Sequence, residues 1–204
     1  MPVGVPKVPF YRLYRDRNVF LFQDIEALFA NQITGIMVFL NLEDTTRDMF
    51  LYICSMGGTV IDGMGIVNMV LAGGAPVHTT CVGIAASMAA FILVCGKAST
   101  RTAFPNAWVM IHEPACSLFL GKSAEVFIDI KEMKKLFNDI VDLYAQKTGL
   151  SGDDILKEMQ KDTFMTATEA KMKGFVDLIG SRGTFWSIRK GGQPTGGRKM
   201  SFLK

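Results

Sequence analysis

Four short stretches of this 204-residue chain hold residue types suited to chemistry at neutral pH. Ser87 stands alone among alanines in VGIAASMAAFILVCG, Val82 to Gly96, at the head of an apolar run. His112 follows WVMI and precedes Pro114, which puts it at a strand tip. The other histidine, His78, lies inside a strand pattern between Val77 and Thr79. Asp162, in QKDTFM, falls between two helical patterns just before Phe164 and Met165, and Gly57 and Gly58 follow the buried-strand pattern DMFLYICS. An imidazole is the natural base for a serine hydroxyl near neutral pH. A backbone N–H from a glycine pair, aimed at developing negative charge, stabilises a transition state by roughly 3–4 kcal/mol. Each feature also has a bland reading: a small residue for helix packing, a tight turn, an exposed loop histidine, a solvated aspartate. Taken singly, the bland reading is the better one for Ser87 and for the glycine pair.

The elements that must position these residues alternate between two periods. A short strand at Asn18–Phe22 precedes a helical pattern with Ile25, Leu28, Phe29, Ile33, Ile36, Met37 and Leu40 on its apolar positions. DMFLYICS is a strand, and VIDGMGIVNMVLAGG a second helix closed by Gly73 and Gly74. APVHTTCVG returns as a strand, the run Val82–Gly96 follows as a helix whose alanines permit close packing, and WVMIHEP is a strand ended by Pro114. This alternation predicts an α/β domain with parallel strands. Farther on, Val126, Ile130, Met133, Phe137, Ile140, Val141 and Tyr144 mark one long amphipathic helix ended by Gly149. Ser151 is an N-cap, Thr166 and Glu169 form a capping box, and Gly174 separates that short helix from a strand FVDLI.

Composition narrows the class. With 49% hydrophobic and 20% charged residues the chain buries a full core. Its mean hydropathy of +0.25 fits either further apolar surface covered by other subunits or a core rich in methionine and phenylalanine. The formal charge of +3 misleads, because the residues from Arg182 onward carry only basic charges and leave the remainder net acidic. Nucleic acid is therefore not the expected partner. The four cysteines lack CxxC spacing and the histidines number two, so no metal site is expected and the thiols read as free. No apolar run reaches the roughly 18–20 residues of a membrane span. The opening MPVGVPKVPF reads as neither signal nor transit peptide, which places the protein in the compartment where it is made.

SMGG, GIAASMA, VMIHEP and KDTFMTATEAKMKGFVD, in this order and spacing, resemble the proteolytic subunit of the ATP-dependent Clp protease from about Leu13 to Leu178. The start of the chain is similar to the plastid-encoded members. The resemblance implies an α/β fold of crotonase-like spiral type over 13–180, with a protruding handle helix at about 125–147. A flexible segment, 1–12, would meet the unfoldase at the axial pore, and a basic flexible tail would span 181–204. It makes Ser87 the nucleophile, His112 the general base and Asp162 the group that orients the imidazole. The N–H groups of Gly58 and Met88 would form the oxyanion hole, and Phe50 and Tyr52 would belong to the unfoldase-docking pocket. It further implies a double seven-membered ring, homomeric or mixed, an AAA+ unfoldase partner, unfolded protein substrates and a plastid-stroma setting, or alternatively a bacterial cytoplasm. No cofactor is expected in this subunit, since ATP is used by the unfoldase.

The chain departs from the family pattern at several positions. Met56 replaces the proline of the oxyanion loop, Trp108 a basic residue, Glu113 the glutamine after the histidine, and Gln160–Lys161 an acid–arginine pair between rings. Ala72 replaces a bulky docking-surface residue, and ACSLFLGKSAE is bulkier than the usual glycine-rich segment. These changes sustain an alternative, a weakly active or structural subunit of a mixed ring. An acyl-CoA enzyme of the same architecture and a binding module acting through the basic tail are lesser readings.

Overall fold

The computed structural model describes residues 12–114 and 123–181, with side chains of the long helix described from Ile130 onward. The expected segment 1–12 and tail 181–204, apart from one residue of each, lie outside the described residues, as do residues 115–122 of ACSLFLGKSAE. The elements in chain order are β1 (Asn18–Leu21), α1 (Ala27–Glu43), β2 (Met49–Ser55), α2 (Val60–Ala72), β3 (Val77–Ala86), α3 (Met88–Cys95), β4 (Thr102–Ala103), β5 (Trp108–Ile111), α4 (Ser123–Thr148), α5 (Gly152–Met159), β6 (Thr163–Thr166), α6 (Ala167–Met172) and β7 (Leu178–Ile179). The α/β expectation holds, and the sheet follows the path β1-β2-β3-β4-β7 with parallel neighbours throughout.

β3 is the strand that organises the site. Its first half pairs with β4 through Thr80 and Cys81, and its second half pairs with β5 through Ile84–Ala86. Residues 82–86 therefore belong to a strand, not to the helix that the apolar run suggested. Alanine favours helix by only a few tenths of a kcal/mol per residue, and ladder hydrogen bonds to neighbours on both sides outweigh it. Ala85 and Ala86 are thus small residues of a buried strand. The helix itself, α3, is buried at all eight positions, as an element apolar all round must be.

Two further differences follow from pairing. TFMT forms β6, antiparallel to β5, where sequence periodicity suggested only a gap between helices. FVDLI contributes only Leu178–Ile179 to the sheet, while Phe175 and Val176 are core residues. The caps at Ser151 and Thr166 are present as expected, the latter with both halves of the capping box. In α4 the buried part of the stripe is Ile140, Val141 and Tyr144, whereas Ile130 is half exposed. On α1, Leu28, Phe39 and Leu42 are 74%, 65% and 83% exposed, so one apolar face of that helix has no cover among the described residues.

Arg101 ties the far end of the sheet to α4. It is buried, its Nε and Nη2 donate to the two Asp177 carboxylate oxygens at 2.9 and 2.6 Å, and its Nη1 donates to the Lys147 carbonyl at 2.9 Å. Removing one partner of such a pair strands the other charge, at a cost of about 3–5 kcal/mol. Arg101→Met is expected to lower stability by about 3 kcal/mol, since Asp177 keeps some contact with water; a urea midpoint measured against wild type checks this.

His78 gives the fold a pH dependence. Its Nε2 lies 2.8 Å from Asp48 Oδ2, while the buried Nδ1 has no partner among the described residues. Burial lowers its pKa from the usual 6.5, against the opposing pull of Asp48. As pH falls below 6.5 the unfolded chain takes up a proton that the folded chain refuses, so folding free energy is lost. The melting temperature of wild type is expected to drop more between pH 7.5 and 5.5 than that of His78→Asn.

Candidate active site

The C-terminal ends of β2, β3 and β5 converge, as ligand sites do in parallel sheets. Beyond β3, the chain changes from strand to helix within one residue, Ser87, whose backbone takes φ +56° and ψ −126°. Such a conformation costs a non-glycine residue on the order of 1–3 kcal/mol and persists only when neighbours enforce it. Here they do: the Ser87 N–H donates to the Met110 carbonyl at 2.9 Å, and its carbonyl accepts from Ala90 and Phe91 at 3.0 and 3.2 Å. A serine at a helix start ordinarily caps the first-turn N–H groups with its hydroxyl. Ser87 makes no such cap. Its Oγ lies instead 2.9 Å from His112 Nε2, donating to it when the imidazole proton is on Nδ1.

β6 decides what faces the other side of that imidazole. The antiparallel register pairs Ile111 with Thr163, so the next residues outward, His112 and Asp162, come opposite each other. His112 Nδ1 and Asp162 Oδ1 are 3.6 Å apart. That separation is longer than a hydrogen bond. Asp162 is 73% exposed and occupies the left-handed region at φ +49°, which aspartate tolerates. The Glu113 N–H donates to the Met159 carbonyl at 3.1 Å, which holds the backbone just past His112.

The glycine pair completes the rim. The Ile25 N–H donates to the Gly57 carbonyl at 2.7 Å, and the Thr59 N–H donates to the Ile25 carbonyl at 3.1 Å. In a parallel bridge of this kind the middle residue, Gly58, turns its own N–H away from Ile25. That side is the one occupied by β3 and Ser87. A Cβ on Gly57 would meet both Ser87 Cβ and the Ala86 carbonyl at 2.7 Å, which shows how closely the loop crosses Ser87. Among the described residues neither the Gly58 nor the Met88 N–H meets an acceptor.

A cavity of about 760 Å³ opens over this group, with Ser87, His112 and Gly58 on one side and Phe91, Ile140 and Tyr144 on the other. The α4 stripe had been legible as an amphipathic helix, but nothing in its period said that Ile140 and Tyr144 line a groove. Met56, on the same rim, is 55% exposed. Burial pushes the thiols of Cys81 and Cys95 up to about 12, so neither offers a thiolate at neutral pH. Cys54, Cys81 and Cys95 are free.

Phe50 and Tyr52 stand apart from this group, toward the opposite end of β2. Phe50 stacks on the His78 ring with centroids 5.0 Å apart. Tyr52 is buried, stacks on Phe20 at 5.4 Å, and donates its hydroxyl to Asn18 Oδ1 at 3.3 Å.

Comparison with known proteins covers the span of this fold. The Clp protease family matches residues 7–183. A protein of Morus indica named ATP-dependent Clp protease proteolytic subunit is 45% identical over 193 residues, covering 88% of this chain and 98% of the relative. Proteins of the same name from Cucumis sativus and Acorus calamus are 45% and 43% identical, each over 88% of this chain and over 99% and 96% of their own lengths. A match of this extent, over the whole described fold and every residue of the site, shows that the chain belongs to the Clp protease family.

Proposed function

We propose that this chain is a serine endopeptidase subunit that cleaves unfolded polypeptides through Ser87, His112 and Asp162. The observation that carries the reading is the uncapped Ser87 hydroxyl, held by a strained backbone 2.9 Å from His112 Nε2. Ser87 Oγ attacks a peptide carbonyl carbon while His112 Nε2 takes its proton. The carbonyl oxygen becomes an oxyanion facing the N–H groups of Gly58 and Met88. Asp162 balances the imidazolium charge. His112 then gives the proton to the leaving amine, the C–N bond breaks, and an ester remains on Ser87. Water, deprotonated by His112, attacks that ester; the acyl C–O bond to Ser87 breaks, His112 returns the proton to Ser87 Oγ, and the acid is freed. This sequence uses no cofactor in the subunit; ATP belongs to a partner unfoldase.

The exposed apolar face of α1 and the half-exposed Ile130 of α4 support assembly into the double seven-membered ring of the family. α4, close to the expected span, is the handle helix in this reading, and Phe50 and Tyr52 remain the aromatic positions proposed for unfoldase docking. The likeness to plant subunits supports a plastid stroma, with bacterial cytoplasm as the alternative. A second reading, a weakly active or structural member of a mixed ring, is favoured by one observation: Asp162 is 73% exposed and beyond hydrogen-bond length from His112. Labelling of the assembled protein by a fluorophosphonate separates the two. Labelling that disappears in Ser87→Ala supports catalysis, and absence of labelling sinks it.

A further inference from the structure

The groove over Ser87 does not end at His112. Through Val60, Pro114, Met133 and Ile140 it continues into a second hollow of about 610 Å³. The floor of this hollow is apolar, with Phe137 and Leu156 among its residues, and its rim carries two charged side chains, Glu113 and Lys134. Glu113 is exposed, one residue past His112, and forms no ion pair among the described residues. Asp62, on the neighbouring part of the groove, is already engaged: its carboxylate accepts from the Thr59 hydroxyl, and its own N–H donates to that oxygen.

We infer that this hollow takes a lysine or arginine side chain of the substrate, selected by the Glu113 carboxylate; the inference rests on the peptidase reading above. An aliphatic stem lies well on an apolar floor while its cationic head stays at the wet rim. Such a head meets an unpaired carboxylate at the Glu113 position, and an acidic substrate residue meets repulsion there. Lys134 does not cancel this. It stands on a helix surface with a flexible four-carbon stem that swings to solvent. Glu113 has a short side chain, and its backbone is pinned to Met159 at 3.1 Å. Two exposed charges in contact are worth up to about 1 kcal/mol, which caps the expected selectivity at about fivefold.

The test uses full-length Ser87→Ala protein and fluorescent peptides differing at one scanned position, carrying lysine, norleucine or glutamate. Binding is read by anisotropy, so no cleavage is required. At one position, lysine is expected to bind tighter than norleucine, by up to about fivefold, and glutamate weaker than both. Adding Glu113→Gln is expected to level the three peptides with an unchanged melting temperature, while adding Asp62→Asn leaves the order intact. No position with this order, or an order that survives Glu113→Gln, overturns the inference. In parallel, kcat/KM on otherwise wild-type protein reports the peptidase reading: binding selectivity without cleavage would strike that reading and leave this one standing.

Discussion

Ser87→Ala is expected to lower kcat for peptide hydrolysis by about 10⁵–10⁶-fold, with the fold and assembly intact. The size follows from the absence of a substitute in the two buried thiols nearby among the described residues. Cys81 and Cys95, the buried thiols on neighbouring elements, stay protonated, burial pushing both up to about 12. Alanine also keeps the backbone contacts of position 87 with Met110, Ala90 and Phe91, none of which uses the side chain. Asp162→Asn should cost far less. Where the third group is buried and hydrogen-bonded, its amide costs about 10⁴-fold. Asp162 is solvent-exposed at 3.6 Å, so its charge is screened and about 10–100-fold is expected. A peptide assay comparing the two variants with wild type decides: equal losses would mean that Asp162 is held more tightly in the working protein than these distances show.

The second large effect concerns Gly57, not the serine. Its backbone lies at φ +101°, a region L side chains rarely adopt, and an added Cβ would meet the Ala86 carbonyl and Ser87 Cβ at 2.7 Å and the Met88 nitrogen at 3.1 Å. None of these is the free end of a flexible side chain, so the loop itself must move. Backbone strain of about 1–3 kcal/mol adds to overpacking of about 1–3 kcal/mol. Gly57→Ala is therefore expected to destabilise by about 2–6 kcal/mol. The same movement is expected to carry the Gly58 N–H off its proposed oxyanion position, at a cost of about 10²–10³-fold in kcat. Gly35→Ala is the control: no atom lies within 4 Å of its Cβ, and as a position inside α1 it should gain about 0.5–1 kcal/mol. Thermal melts and kcat of both variants test this pair. A Gly57→Ala protein with wild-type kcat would remove Gly58 from the oxyanion role.

Departures from the family pattern read differently once placed. Met56 leaves the loop beside Gly57 without the restraint of a proline ring, yet the Ile25 bridge still orients Gly58. Trp108 is 46% exposed on the outer end of β5 and takes no part in the groove. Glu113, by contrast, faces the hollow beside the site and becomes the residue with the clearest bearing on what the groove accepts.

The parts of this protein legible from sequence were those whose cause is local. The caps at Ser151 and Thr166 involve groups three residues apart, and the stripe of α4 repeats every helical turn. The glycine pair after β2 and the strand tip before Pro114 were likewise visible as punctuation in the chain. Tertiary structure decided the rest. β6 is four residues long and exists because β5 pairs with it; no period in TFMT announces it. Residues 82–86 became strand because β2 and β5 flank them, against the helix preference of their alanines. Sequence determined that Ser87, His112, Asp162, Gly58 and Met88 were available and that each stood at an element's end. Only the registers Ala86 with Met110 and Ile111 with Thr163 set Ser87, His112 and Asp162 in one line, because hydrogen-bond ladders join residues far apart in the chain and local periodicity carries no record of them.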